Sequence, residues 1–587
     1  MTSSSSTTWS APQALPPLRA VLLAAFFPLL GCSTSSHPHA ESTVSNEADG
    51  PAWFEDVSDR VGFHFVHDPG ATDTSFMPQS MGSGCAFLDL DNDGLLDLYL
   101  LQDAGPDSKS VNRLYKQLPD HTFQDATDTS GLDVAGYNRG VAVGDVNNDG
   151  LPDVLLTQYG AIKLFVNLGG GRFEDVAAES GLLNPLWGMS AGFLDYDRDG
   201  WLDLVVVNYL DYYPKATCRA PDGQPDFCGP NQFPGVCSKL FHNESGRQAA
   251  DRSRKTRLCF ADVSFAAGLG RLAGPGLGVA CADFDGDGWP DIFVANDGQP
   301  NRLWINRRDG TFADEAVSRG VAYTAMGTAF AGMGVALGDV NNDGLFDVYV
   351  THLGIETNTL WKQGPRGQLR DETRRSGLAN PHGHGTGFGT LLADFNHDGA
   401  LDLALVNGRV VRGGPAKDPS LGFWETYAER NQIFVNDGTG RFRDRSEANP
   451  AFCGHWNVGR GLAQGDFDND GAPDLLVSTI GGRARLLRNV APERGHWLKV
   501  RAFDPRTKRD AYGAEVRVSA GGRDYLRLIN PAESYLCSSS PLAHFGLGGG
   551  AEVESILVIW PDGVRERFPG GTADRLLELR RGEGRAP

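Results

Sequence analysis

Asp89-Leu90-Asp91-Asn92-Asp93-Gly94-Leu95-Leu96-Asp97 decides the fold of this chain, because its frame returns six more times. The frame is Asp-x-[Asp/Asn]-x-Asp-Gly-x-x-Asp, and later copies begin at Asp145, Asp195, Asp283, Asp339, Asp394 and Asp466. Four of the intervals are 50–56 residues, and the other two, 88 and 72, imply insertions. A length of 587 residues alone would suggest several domains. A period of this size points instead to one repeat architecture.

The spacing has a chemical reason. Alternate acidic residues in a tight turn aim oxygens at one point, and the glycine permits the sharp bend that brings a backbone carbonyl in, which is calcium geometry. An EF-hand would place a bidentate Glu at position 12, where the first copy has Leu100 within the strand-like run Leu98-Tyr99-Leu100-Leu101. These are strand-to-strand loops. Asp-Gly turns also occur in β-proteins without metal, but charge speaks against that here. At positions 1, 3, 5 and 9 the seven loops hold 25 Asp, more than the whole formal excess of −21. Three or four carboxylates in one turn repel unless a cation neutralises them. The same acidity excludes a sequence-independent nucleic-acid binder, which needs clustered Lys and Arg.

Around each loop short strands recur. In the second copy Gly140-Val-Ala-Val143 leads in, Val154 to Thr157 leads out, Ile162 to Val166 follows, and Phe173-Glu-Asp-Val176 comes after a glycine turn. Four strands per roughly 50-residue repeat are the signature of a propeller blade, so the fold class is all-β. The aromatic-acid strand begins at Phe54, Phe123, Phe173, Phe260, Phe312, Leu369 and Phe442: one copy precedes the first loop and none follows the last. A ring explains the offset, with the Phe54 strand completing the blade opened by Asp466. Seven loops then predict a seven-bladed β-propeller; an open solenoid, the alternative, normally wants distinct caps.

The Asp-rich loops with Phe-x-Asp-Val strands resemble FG-GAP/VCBS repeats. By that resemblance positions 1, 3, 5 and 9 are calcium ligands, with the position 7 carbonyl. The implied sets are Asp89, Asp91, Asp93 and Asp97; Asp145, Asn147, Asp149 and Asp153; Asp195, Asp197, Asp199 and Asp203; Asp283, Asp285, Asp287 and Asp291; Asp339, Asn341, Asp343 and Asp347; Asp394, Asn396, Asp398 and Asp402; Asp466, Asp468, Asp470 and Asp474. Up to seven structural Ca2+ ions are implied. Residues 491–582 depart from the repeat. Arg509-Asp-Ala-Tyr-Gly-Ala514, His544-Phe-Gly-Leu-Gly548 and Val558-Ile-Trp-Pro-Asp-Gly563 resemble an ASPIC/UnbV domain, and the combination is similar to bacterial relatives of cartilage acidic protein. Tyr512 departs from the small apolar residue usual before Gly513. The residues themselves read as a small C-terminal β-domain, with alternation in Glu515-Val-Arg-Val518.

The organisation expected is a leader over 1–32, a flexible tether over 33–50, the propeller over 51–490, the β-domain over 491–582 and a tail over 583–587. Ala20 to Leu30 is an apolar run too short to span a bilayer and right for a signal-peptide core. It ends in Leu-Leu-Gly-Cys32, which resembles a lipobox, so Cys32 is the expected lipidation site of an exported protein anchored in the periplasm or at the cell surface. Of the later cysteines, Cys218, Cys228, Cys237 and Cys259 are disulfide candidates whose pairing the spacing leaves open. They lie in or beside an insertion rich in Pro, Gly and aromatic residues, a natural specificity surface; a second insertion, Asn407 to Tyr427, is expected at the same rim. The motif His382-Gly-His384 falls where other copies have glycine-rich strand lead-ins, which favours strand entry over a metal pair. No catalytic motif stands out. The expectation is a calcium-stabilised binding or adhesion protein for a protein or polysaccharide partner. The alternative is a hydrolase or oxidoreductase working in the propeller's central channel, which would need clustered basic or histidine side chains there.

Overall fold

The structure is a computed structural model that describes residues 50–587 apart from 73–74, 221, 249–257, 380–384 and 414–416. Cys32, the leader, nearly all of the tether and the His382-Gly-His384 motif lie outside the described residues. No described helix is long and apolar enough to cross a membrane.

Seven antiparallel four-stranded blades carry one acidic loop each, between their first and second strands, and the sheet of blade 1 is extended to six strands by Ala532–Glu533 and Cys537–Ser538. Blade 1 consists of Cys85–Leu88, Asp97–Leu100, Arg113–Gln117 and Phe123–Asp125. Blades 2 to 6 follow the same order, with first strands Asn138–Gly144, Gly188–Leu194, Gly276–Ala282, Val335–Gly338 and Gly387–Ala393. Blade 7 takes Gly459–Gly465, Asp474–Thr479 and Arg485–Asn489, and its fourth strand is Phe54–Asp56 from the start of the chain, with Phe54 opposite Asn489. The offset in the sequence is this strand exchange.

Ring closure is written in side-chain amides. The last residue of each third strand, or in blade 5 the last but one, is Gln117, Asn167, Asn243, Asn306, Gln363, Asn436 or Asn489 in blade order, and its amide donates to the position 2 carbonyl of the preceding blade's loop. Gln117 of blade 1 reaches Phe467 of blade 7 at 2.7 Å, so seven latches return to their start. All seven are buried. Leaving one unmade strands a buried carbonyl, at roughly 1–3 kcal/mol.

Burial follows position in the blade. First strands are buried at nearly every residue, while fourth strands keep only their Phe or Leu inside and turn their acid outward. The glycine lead-ins have a steric cause. A Cβ on Gly278 would lie 2.3 Å from the Met333 carbonyl of the next blade, and one on Gly334 2.0 Å from that of Phe388. Larger residues would push the blades apart.

The C-terminal domain has two sheets. His496–Asp504 pairs with Ala543–Gly548 and, in parallel, with Arg575–Arg580; Glu515–Ala520 lies between Arg523–Leu528 and Glu552–Ile559. Their apolar faces share one core with blades 2 and 3, through residues such as Val516, Val558, Trp560, Leu155 and Leu204. Tyr512 sits in this core, 7% exposed. The domain is therefore seated on the propeller, and residues 532–540 leave it to enter the channel.

Candidate metal centres

All seven loops share one backbone. Position 4 is left-handed in every copy, at Asn92, Asn148, Arg198, Gly286, Asn342, His397 and Asn469, and the position 6 glycine is too. Two such residues so close coil the chain around its acids. The position 1 carboxylate accepts the N–H of the position 6 glycine in every copy, for example Gly150 to Asp145 at 2.8 Å. Position 5 accepts the N–H of position 7, as from Leu345 to Asp343 at 3.0 Å. Position 9 is clamped twice: in blade 2, Asp153 accepts Val146 N–H at 3.0 Å and Asn167 N–H at 2.8 Å. One carboxylate thus ties the loop to the latch residue that closes the ring.

Ligand atoms of three carboxylates converge within 4.8 Å in four loops: Asp89, Asp91 and Asp93; Asp195, Asp197 and Asp203; Asp283, Asp285 and Asp291; Asp466, Asp468 and Asp474. In the loops with Asn147, Asn341 and Asn396 no three carboxylates do so among the described residues. The two classes differ in a second way. Each loop with Asp at position 3 has a basic side chain on that Asp: Lys116 at 2.8 Å from Asp91, His242 at 3.8 Å from Asp197, Arg319 at 3.0 Å from Asp285 and Arg488 at 2.5 Å from Asp468. In the other class the amide takes over, and Asn341 and Asn396 each donate to the position 5 Asp at 2.9 Å. An extra carboxylate and an extra base arrive together.

Burial pushes the loop carboxyls upward. Asp145, Asp203 and Asp283 rise to about 6, Asp97, Asp195 and Asp394 to about 7, and Asp347 to about 8, with desolvation the first cause each time. Asp153, Asp291, Asp402 and Asp474 are raised strongly for the same reason. Hard oxygen donors at low dielectric fit a divalent cation such as Ca2+, which would hold them ionised.

The C-terminal domain adds three buried cations to this face. Lys499 pairs with Asp466, Arg509 donates to Asn148 at 2.9 Å and to the Gly200 carbonyl at 3.2 Å, and Arg527, buried near Asp394 and Asp339, donates to the His544 carbonyl at 3.0 Å. They line a cavity of about 250 Å³ between loops and domain, together with Glu533 and Gln464.

Above that cavity the channel is filled. Cys537–Ser538 adds in parallel to the first strand of blade 1. Ser534 exchanges two backbone bonds with Val335 of blade 5, and the Leu536 carbonyl accepts from Val141 of blade 2. Tyr535, wholly buried, donates to the Met81 carbonyl at 3.2 Å among Phe388, Met189 and Met333. Arg139 pairs with Asp103 through Nη1, and Arg460 stacks 3.8 Å from the Phe388 ring while donating to the Ser80 and Gly408 carbonyls.

At the opposite mouth the two insertions meet. Phe227 stacks on Trp424 at 5.7 Å, and Asp226 accepts from Tyr427 Oη at 2.6 Å and from the Arg412 N–H at 2.9 Å. Of the four disulfide candidates only two pair: Cys218 joins Cys228, whereas Cys237 and Cys259 are free thiols. The correction is geometric, since Cys237 lies at the base of the insertion with its thiol on the Gly270 carbonyl and Cys259 is buried beside the fourth strand of blade 3.

An FG-GAP-like repeat model matches residues 89–156, 145–206, 283–350 and 422–477, and an ASPIC and UnbV model matches 504–586. The chain carries FG-GAP repeats and a C-terminal ASPIC/UnbV domain. It is homologous to cartilage acidic protein 1: the Xenopus tropicalis protein is 27% identical over 515 residues, 83% of this chain and 71% of that one, and the Homo sapiens protein 27% over 528 residues, 86% and 72%. Among solved structures a lectin from Burkholderia pseudomallei covers 70% of this chain and 97% of its own at 10% identity, with a TM-score of 0.40. Three of the four FG-GAP matches begin on a loop acid, at Asp89, Asp145 and Asp283. The latch amides that sequence reading missed do leave a signal: in five repeats Gln117, Asn167, Asn306, Gln363 or Asn436 stands six residues before the aromatic-acid strand's first residue.

Proposed function

We propose that this chain is a calcium-stabilised, exported and lipid-anchored binding protein whose FG-GAP propeller presents its insertion rim to a protein or polysaccharide partner. The observation that carries the reading is the use made of the two mouths. One is committed to the ASPIC/UnbV domain and to carboxylate loops, and the channel between them is packed with Tyr535 and Leu536. The other is a surface built from two insertions locked by Phe227, Trp424 and a disulfide, with Tyr213 60% exposed beside it and Trp456 flanked by Lys417 and Arg430 at 5.1 and 4.8 Å. Aromatic faces with nearby cations suit planar or sugar-ring ligands. Calcium is then structural, and Cys32 the tether point.

The test is a glycan array and a pull-down from intact-cell surface material with the calcium-loaded protein, beside Tyr213→Ala and Trp456→Ala. Binding lost in either variant with an unchanged melt supports the rim. Binding unaffected by both, or a partner held at the ASPIC/UnbV face, overturns it. Metabolic labelling with palmitate, lost in Cys32→Ser, checks the anchor.

A further inference from the structure

The geometry points to a second kind of metal site in the third loop: a mixed nitrogen–oxygen centre, made by His242 with Asp197 and Asp199, that takes a divalent transition cation of the zinc class in preference to calcium. His242 lies on the third strand of blade 3, Lys239–Asn243, immediately before the latch Asn243. The corresponding residues of the other blades are Lys116, Val166, Ile305, Lys362, Val435 and Arg488, none of which offers a ring nitrogen. No other latch is preceded by a histidine, and the one other loop imidazole, His397 at position 4 of the sixth loop, has its Nδ1 on the Gly495 carbonyl at 3.2 Å.

The ring is fixed for ligation. Its Nδ1 donates to Asp203 Oδ1 at 3.0 Å, because a carboxylate only accepts, and this leaves the Nε2 lone pair directed at the loop. Among the described residues Nε2 has no hydrogen-bond partner, although the side chain is only 6% exposed. It stands 3.8 Å from Asp197 Oδ2, and ligand atoms of Asp197, Asp199 and His242 all fall within 4.8 Å of one another. That separation is too long for a hydrogen bond but lies within the about 4.2 Å that two donors, each about 2.1 Å from one zinc ion, can span. A carboxylate holding Nδ1 while Nε2 faces the metal is the usual outer support of a histidine ligand. Tyr196 packs edge-on to the ring at 5.8 Å, which limits its rotation.

Lys116 and Arg488 fill the equivalent space as counter-charges and have no lone pair to give. Histidine is the one basic residue that is also a common metal ligand, and imidazole shifts a site toward zinc, copper, iron and nickel. This inference rests on the reading that the loops are cation sites, but it does not need calcium in the other six.

The experiment is equilibrium dialysis of the ectodomain, residues 33–587, against trace Zn2+ under saturating Ca2+, with zinc counted by elemental analysis in wild type, His242→Gln and, as control, Lys116→Gln. Wild type and Lys116→Gln should retain one zinc per chain that calcium does not displace, and His242→Gln should bind it at least tenfold more weakly, the low end for disturbing a ligand set. Equal retention in His242→Gln, or none in wild type, overturns the site. Pulsed electron-spin resonance of the wild type given one equivalent of Cu2+ under saturating Ca2+ keeps the test independent of the variant's folding: coupling to a bound imidazole nitrogen is expected, and its absence overturns the assignment. Calcium-dependent melting, measured in parallel, reports on the other reading, so either can fail alone.

Discussion

The two mouths of the propeller are closed by different physics. At the loop mouth, carboxylates, an amide ring and buried Lys499, Arg509 and Arg527 hold seven blades to the ASPIC/UnbV domain. At the rim mouth, Phe227, Trp424 and Tyr427 close the gap with apolar area and one disulfide. Charge-held closure answers to cations and pH, while apolar closure answers to packing alone. On the proposed reading the loop end should respond to ions more strongly than the rim, where the buried Asp226 carboxylate is held by Tyr427 and Arg412.

Chelation should separate them most widely. In EDTA the melting temperature is expected to fall by about 10 °C or more, since ions bound to the native state alone stabilise it by mass action. Hydrogen exchange should rise first at Gly150, Gly344 and Gly399, whose loops lack a basic partner on position 3, while Trp424 fluorescence holds until the global melt. An unchanged melt, or exchange rising equally in all loops, breaks the comparison.

Tyr535→Ala removes a wholly buried ring from the channel and is expected to cost about 3–5 kcal/mol in denaturant unfolding. Because the plug also seats the ASPIC/UnbV domain, the chelator response should grow in this variant. Trp424→Ala, at the rim, should cost about 3 kcal/mol and leave that response as in wild type. A Trp424→Ala protein with a steeper calcium dependence would show the mouths to be coupled.

Glu533 sharpens the pH side. Burial raises its carboxyl to about 7 from an ordinary 4.5, with Gln464 donating to it at 2.9 Å. A raised acid favours the fold while protonated. Its contribution is present below about pH 4.5 and is lost as pH climbs through about 7. Glu533→Gln should thus be more stable than wild type at pH 8, by about 2 kcal/mol, and nearly equal at pH 4.5. The smallest effect is Lys116→Met: its pairs with Asp91 and Asp93 are partly exposed, so the stability change should stay near 0.5 kcal/mol, with a modest rise in calcium affinity as the competing cation goes.

The acidic frame at a 50–56-residue interval, its glycine and the Phe54 offset contained the blade, the loop and the ring, because local spacing and turn chemistry are properties of contiguous residues. Loop residues of all seven candidate sets were legible for the same reason. What only the tertiary structure decided is what lies far apart in the chain: Gln117 on the Phe467 carbonyl, Lys499 on Asp466, Tyr535 in the channel, and Phe227 against Trp424. An Asn at the end of a strand, or a Tyr in a polar turn, looks the same in sequence whether it meets water or a buried carbonyl. Its partner is chosen by ring closure and domain docking: the six-residue spacing marks where a latch amide stands, not which carbonyl it meets.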